Sequence, residues 1–110
     1  RYDGTMVEGF GTDGGLTTDH KPNNSIERAR IEKAGGWVKE AGSGVHRVNG
    51  ELAVSRAFGD IHFKKCDALH EDGGLSHPED RIVSAEPEFC TLQCDSSNFL
   101  LLVCDGISEG

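Results

Sequence analysis

The strongest candidate for chemistry is a carboxylate at the end of the most hydrophobic run in the chain. Asp105 follows directly after the apolar residues 99–104, and Glu109 comes four residues later. An acidic side chain at the edge of a core is costly unless it is hydrogen-bonded, paired or bound to a metal. If residues 106–110 begin a helix or tight turn, both carboxylates can face one divalent cation. The residues alone favour the other interpretation, in which Asp105 caps the turn that follows it.

Two further polar groups each allow two interpretations. Arg56 can act as a bidentate donor to a phosphate, or it can pair with Asp60 in the same turn. The dipeptide Asp19-His20, before Lys21-Pro22, fits a metal or acid–base pair and also a hydrogen-bonded turn. The five histidines have no zinc spacing, and the sequence has neither a nucleophile elbow nor a phosphate-binding P-loop.

The charge of the chain is concentrated in its second half. Of the 19 Asp and Glu residues, 11 lie in residues 56–110, where only 4 Lys or Arg accompany them, and the net charge is -8. Such a surface repels phosphate backbones, so nucleic-acid binding is not expected. No apolar run approaches the roughly 20 residues of a membrane span, so no membrane insertion is expected either.

The four cysteines fit no disulfide or zinc pattern. We therefore expect reduced thiols in a cytoplasmic or nuclear protein, with Cys104 buried at the end of its apolar run. The residues concerned are Cys66, Cys90, Cys94 and Cys104.

Local signals predict the elements that position these groups. Asn24 with Glu27 forms a capping-box pattern before a helix over residues 25–34, which ends at Gly35-Gly36. This helix has few apolar positions and is expected on the surface. Asn49-Gly50 predicts a type I′ hairpin turn, with extended segments on both sides of it.

The remaining chain is predicted to be mainly antiparallel strands and loops. Residues 99–104 are typical of a strand buried on both faces, and residues 89–94 and the segment from Ile82 to Pro87 also indicate strands. A short helix is predicted within residues 55–60. Further expectations are a short strand near Met6-Val7, an exposed loop over residues 64–80, and core positions for Phe58, Phe63, Phe89 and Phe99.

Several short motifs follow one another in an order that is more specific than any one of them. They are Leu16-Thr17-Thr18-Asp19-His20-Lys21-Pro22, Glu27-Arg28 with Ala34-Gly35-Gly36, Arg47-Val48-Asn49-Gly50, Leu52-Ala53-Val54-Ser55-Arg56-Ala57-Phe58-Gly59-Asp60, Val83-Ser84-Ala85-Glu86-Pro87-Glu88 and Phe99-Leu100-Leu101-Leu102-Val103-Cys104-Asp105-Gly106-Ile107. The series resembles the central part of the metal-dependent serine/threonine protein phosphatases of type 2C, the PPM-type family.

The resemblance implies an α+β fold of two packed, mostly antiparallel sheets with helices on both outer faces, in αββα layers. Residues 1–110 would be part of such a catalytic domain, with residues 24–51 as a flap beside the active site. The implied reaction is hydrolysis of phosphoserine and phosphothreonine in a phosphoprotein substrate. Two Mg²⁺ or Mn²⁺ ions hold the attacking water, and no covalent phosphoenzyme forms. The complete protein is expected to be a monomer.

The resemblance also implies roles for four residues. Asp105 matches the metal-ligating aspartate of the family, which reverses the preference for a turn cap. Glu109 falls where the family has a second aspartate, associated with a more weakly held third ion. Arg56 and Asp60 match a motif near the base of the flap, and we assign them a structural role.

The chain also departs from the family pattern. Ser108 and Glu109 stand where the family has Trp and Asp, and the segments 39–46 and 66–80 are longer than is common. The Asp-Gly-His-Gly-Gly motif that bridges both metals and the C-terminal metal-binding aspartate are not in these 110 residues. We therefore expect a piece of a longer domain that is inactive by itself. The alternative is a pseudophosphatase, or a truncated binding or scaffold protein.

Overall fold

The computed structural model describes residues 15–64 and 80–108. Their elements are helix α1 (Ser25–Lys33), strands β1 (Val38–Glu40) and β2 (His46–Val48), a 3₁₀ helix (Ile61–Phe63) and helix α2 (Asp105–Ser108). The chain divides into one unit of Asp19–Glu88 and a second of Arg1–Thr18 with Phe89–Gly110. Helices and an antiparallel strand pair are thus present, but the described residues hold no two-sheet sandwich.

Helix α1 begins where the sequence predicts it to begin. The Asn24 side chain accepts hydrogen bonds from the backbone N–H groups of Ile26 and Glu27, at 3.0 and 3.4 Å. This N-cap satisfies two donors that the first turn would otherwise leave unpaired. The capping box is only half formed, because the Asn24 N–H donates to the Lys21 carbonyl and the Glu27 carboxylate binds arginines instead.

The end of α1 also follows the sequence. Gly35 has a φ of +90°, in the left-handed region that glycine adopts without steric cost. The N–H groups of Gly35 and Gly36 donate to the carbonyls of Glu32 and Ile31, at 3.1 and 2.9 Å. This pattern is a Schellman motif, and it stops the helix at Lys33, one residue before the predicted end.

Strands β1 and β2 form an antiparallel hairpin directly after α1. The paired residues are Val38 with Val48, Lys39 with Arg47, and Glu40 with His46. The Val48 side chain is fully buried, whereas Lys39 and Glu40 on the opposite strand are exposed. The hairpin therefore contributes one face to the core of the Asp19–Glu88 unit.

The turn at Asn49-Gly50 is confirmed, but only part of the predicted hairpin follows it. Both residues have positive φ, +50° and +75°, as a type I′ turn requires. Beyond the turn, Val48 and Leu52 form an isolated bridge, so residues 51–54 are not a strand. Asn49 instead bonds to Trp37, accepting from its N–H at 3.0 Å and donating to its carbonyl at 2.7 Å.

Among the residues of this unit that the structure describes, the apolar core is small. It consists of four buried side chains with partly buried neighbours packed against them; the four are Ile31, Val48, Phe63 and Val83. The prediction of a core position is therefore confirmed for Phe63. It is wrong for Phe58, Phe89 and Phe99, whose exposed fractions are 92%, 90% and 60%.

Two predictions for the middle of the chain need correction. The helix expected within residues 55–60 occurs later, as the 3₁₀ turn Ile61–Phe63, because Gly59 and Asp60 both take left-handed φ values, +72° and +47°. The segment from Ile82 to Pro87 forms only a parallel bridge from Ser84 to Arg56. The predicted strand near Met6-Val7 and nearly all of the predicted loop lie outside the described residues.

The strands predicted near the end of the chain are not formed. Residues 89–94 and 99–104 are without regular structure, and the exposed fractions from Phe99 to Val103 run from 51% to 84%. Cys104 is likewise exposed, contrary to its predicted burial. An apolar run becomes a buried strand only when neighbouring strands pair with it, and within residues 15–64 and 80–108 no strand does so.

Candidate functional site

Asp105 is the first residue of α2, and its carboxylate is exposed. The Ile107 N–H donates to the Cys104 carbonyl at 3.0 Å, which closes the turn predicted to follow the apolar run. No described residue donates a hydrogen bond to the Asp105 carboxylate, so nothing in the described chain supports the turn-cap interpretation. Glu109 lies outside the described residues.

The described residues do not form a complete metal centre. Among residues 15–64 and 80–108, no group of three or more His, Cys, Asp or Glu side chains could hold a metal ion. Asp105 has the hard oxygen donor that Mg²⁺ and Mn²⁺ prefer, but one carboxylate supplies too few ligands. Any metal site that uses Asp105 therefore needs donors beyond the described residues.

The main polar cluster of the Asp19–Glu88 unit centres on Glu27. The Glu27 side chain is 2% exposed and accepts from two arginines. One is Arg30, which lies one helical turn later on the same face of α1 and donates through Nη1. The other is Arg56, whose Nε donates to Glu27 Oε1 at 2.5 Å. The i, i+3 spacing of Glu27 and Arg30 is typical of an ion pair on one helix face, but the sequence-based prediction gave the Glu27 side chain only a capping-box role.

Arg30 extends the cluster to two other segments. Its Nη2 donates to the Ser55 carbonyl at 2.7 Å and to the Ile82 carbonyl at 3.4 Å, and its Nε donates to the Arg81 carbonyl at 3.3 Å. Burial lowers the pKa of the Arg30 guanidinium, and the neighbouring Glu27 carboxylate opposes that effect. Arg30 therefore needs Glu27 as its counter-charge.

The Arg56 guanidinium makes polar contacts with other residues of the Asp19–Glu88 unit. Besides Glu27, its Nη1 donates to the Glu86 carbonyl at 3.1 Å, and its Nη2 lies 3.6 Å from Glu88 Oε1. The alternative Arg56–Asp60 pair is not formed, and the guanidinium instead contacts Glu27, Glu86 and Glu88. Arg56 thus joins α1 to the segment that ends at Glu88. Its position beside an active site stays a prediction.

Asp60 has a backbone role that is visible in the structure. Its φ of +47° is unusual for a residue with a Cβ, and it follows Gly59 in the same left-handed region. The Asp60 carbonyl accepts from the Phe63 N–H at 3.0 Å, while its side chain makes no capping hydrogen bond to the 3₁₀ helix. The residue therefore redirects the chain into the turn that buries Phe63.

His20 adjoins the cluster at its solvent edge. Its Nε2 lies 3.1 Å from Glu88 Oε1 and 4.0 Å from Glu27 Oε1, and it makes a hydrogen bond to neither. Its carbonyl accepts from the Ser55 N–H at 3.0 Å and from Ser55 Oγ at 2.8 Å. Since the Lys21 N–H also donates to the Asp19 carbonyl, the turn interpretation of Asp19-His20 is supported.

The exposed cysteines show no pairing. Cys90, Cys94 and Cys104 are free thiols, and Cys66 lies outside the described residues. In the described part of the chain, no helix is both long and apolar enough to cross a membrane.

The comparisons with known proteins identify the family. Residues 5–109 match the family model for protein phosphatase 2C, and the chain belongs to this family. It is 45% identical over 104 residues to protein phosphatase 2C homolog 2 of Schizosaccharomyces pombe, covering 94% of this chain and 25% of the relative. It is 43% identical over 94 residues to protein phosphatase 1A of Homo sapiens, covering 84% of this chain and 22% of the relative.

A solved structure that this chain resembles is also named as a phosphatase, like the sequence relatives. The chain is similar to a crystal structure of a phosphatase from a pathogenic strain of Toxoplasma gondii, with a TM-score of 0.54 and 46% identity. The similarity covers 70% of this chain and 22% of that structure. The chain thus spans about a quarter of the length of the curated relatives it matches.

Proposed function

We propose that the complete protein hydrolyses phosphoserine and phosphothreonine in proteins and depends on Mg²⁺ or Mn²⁺. The observation that carries this proposal is the match of residues 5–109 to the protein phosphatase 2C family. Relatives at 43% to 45% identity, named as protein phosphatases, support it. For the complete domain we propose the two-sheet αββα sandwich, in which residues 99–104 gain the neighbours that bury them.

Asp105 is proposed to be a metal ligand, with Glu109 as a ligand of a further ion. Divalent cations supply two kinds of chemistry at such a site: they lower the pKa of bound water and neutralise charge on the phosphoryl group. Positive ions are needed here because an acidic chain with a net charge of -8 repels a phosphate by itself. The other ligands come from parts of the domain outside these residues, so the isolated chain is proposed to be inactive.

The proposed partner is a phosphoprotein substrate, which the protein meets as a monomer in the cytoplasm or nucleus. Four cysteines without a disulfide pattern support a reducing compartment. The acidic second half of the chain supports the proposal that nucleic acid is not the substrate.

The test is phosphatase activity of the complete protein on matched peptides. We expect hydrolysis of phosphoserine and phosphothreonine peptides in Mn²⁺, loss of that activity in EDTA, and recovery when Mn²⁺ is added back. Little activity is expected on the phosphotyrosine version of the same peptide. A folded protein that hydrolyses none of the three, with or without metal, would overturn the proposal in favour of a pseudophosphatase.

A further inference from the structure

Helix α1 has little apolar surface in contact with the described residues of its unit. Ile31 is its one fully buried apolar side chain, whereas Ile26 is 74% exposed. Apolar contact is not directional, so a single buried isoleucine does not fix how the helix is rotated about its axis.

The polar contacts of α1 are directional and reach separate segments. Glu27 binds Arg56, and Arg30 donates to the carbonyls of Ser55, Arg81 and Ile82. Charge-assisted hydrogen bonds have strict distance and angle requirements, so only a narrow range of helix positions satisfies all of them. They therefore constrain α1 more closely than its apolar face does.

The same cluster is a poor source of stability. Glu27 and the two arginines have side-chain exposures of 2%, 12% and 16%, so all three have lost most of their hydration. The cost of desolvating buried ions offsets much of their mutual attraction. Removing one member is still harmful, because it leaves the opposite charge buried without a partner.

We propose that the Glu27–Arg30–Arg56 cluster is a positioning device that sets the orientation of helix α1 and contributes little net stability. The orientation of α1 also affects the hairpin. The chain leaves α1 through Gly36, and Trp37 then bonds to Asn49 in the turn after β2. The proposal concerns the fold, so it does not depend on the proposed phosphatase activity.

The test compares three variants in the complete protein, by thermal unfolding and by amide NMR of residues 25–40. The triple variant Glu27→Met/Arg30→Leu/Arg56→Met replaces the whole cluster with apolar side chains. Glu27→Met alone leaves Arg30 without its counter-charge and Arg56 with only the exposed Glu88 carboxylate. The matched control, Arg28→Gln/Glu32→Gln, removes the exposed ion pair from the same helix.

We expect the triple variant to melt about 5 °C below the parent, because the carbonyls of Ser55, Arg81 and Ile82 lose their Arg30 donor, and Glu27→Met to melt about 10 °C or more below it. The amide signals of α1 and β1 should broaden or double in the triple variant and stay sharp in the control. Two outcomes would overturn the proposal. One is a triple variant that unfolds or melts as low as Glu27→Met, which would make the cluster a source of stability. The other is a stable triple variant with single, sharp α1 signals at the parent positions.

Discussion

The Nε atom of Arg56 donates to Oε1 of Glu27 over 2.5 Å, and this bond joins two residues that are 29 positions apart. It places a guanidinium against a carboxylate that is almost fully buried at the start of α1. Because Arg30 binds the same carboxylate, Glu27 is the counter-charge for two buried cations. The consequences of removing it are therefore larger than for an ordinary helix carboxylate.

Glu27→Gln is expected to destabilise the Asp19–Glu88 unit by about 3–5 kcal/mol, because Arg30 would stay buried without its counter-charge and Arg56 would keep only the exposed Glu88 carboxylate. Glu32→Gln is the matched control, since Glu32 is exposed and pairs with Arg28 on the surface. That control is expected to cost no more than about 1 kcal/mol. Urea unfolding of the complete protein measures both, and equal losses would show that burial of the pair does not matter.

Gly36→Ala is expected to cost about 1–3 kcal/mol through overpacking. A Cβ atom on Gly36 would lie 2.9 Å from Ile82 Cγ2, 3.0 Å from Ile31 Cγ2 and 3.1 Å from Asn49 Oδ1. Gly42→Ala is the control, because nothing lies within 4 Å of its Cβ position and its φ is not positive. Thermal unfolding compares the two, and a Gly36→Ala variant as stable as the control would contradict the packing described here.

Asn49→Ala is expected to destabilise the protein more than Asn49→Gly. Both variants lose the hydrogen bond from the Trp37 N–H, worth about 1 kcal/mol. Alanine also has to adopt the φ of +50°, which adds roughly 1–2 kcal/mol, whereas glycine adopts it freely. Denaturant unfolding of the two variants gives the order, and a glycine variant that is less stable than the alanine variant would refute the account of the turn.

Features that depend on neighbouring residues could be predicted from the sequence. The Asn24 cap, the glycine end of α1 and the Asn49-Gly50 turn each arise from side chains within a few positions. The bond from Arg56 to Glu27 could not be predicted this way, because nothing in the local pattern says which distant segments meet. The same limit explains residues 99–104, since burial of a strand is decided by strands elsewhere in the chain.

At the candidate site, too, local sequence features could be predicted and contacts with distant residues could not. The position of Asp105 after an apolar run left a turn cap and a metal ligand both open. Only the order of the motifs favoured the ligand, and residues 5–109 match the same family. The described residues hold no group of donors that completes a metal centre with Asp105, and Glu109, the second carboxylate that the spacing indicates, lies outside them.

Mn²⁺-dependent phosphatase activity of the complete protein with Asp105→Asn, measured on a phosphoserine peptide, tests whether Asp105 is a metal ligand. Glu86→Gln, which removes an exposed carboxylate outside the flap segment 24–51, is the control for the loss of one negative charge. We expect full activity in the parent and control, and a loss of about 100-fold or more in Asp105→Asn together with weaker Mn²⁺ binding by calorimetry. An Asp105→Asn protein that binds Mn²⁺ and hydrolyses the peptide as well as the parent would contradict the assignment of Asp105 as a ligand.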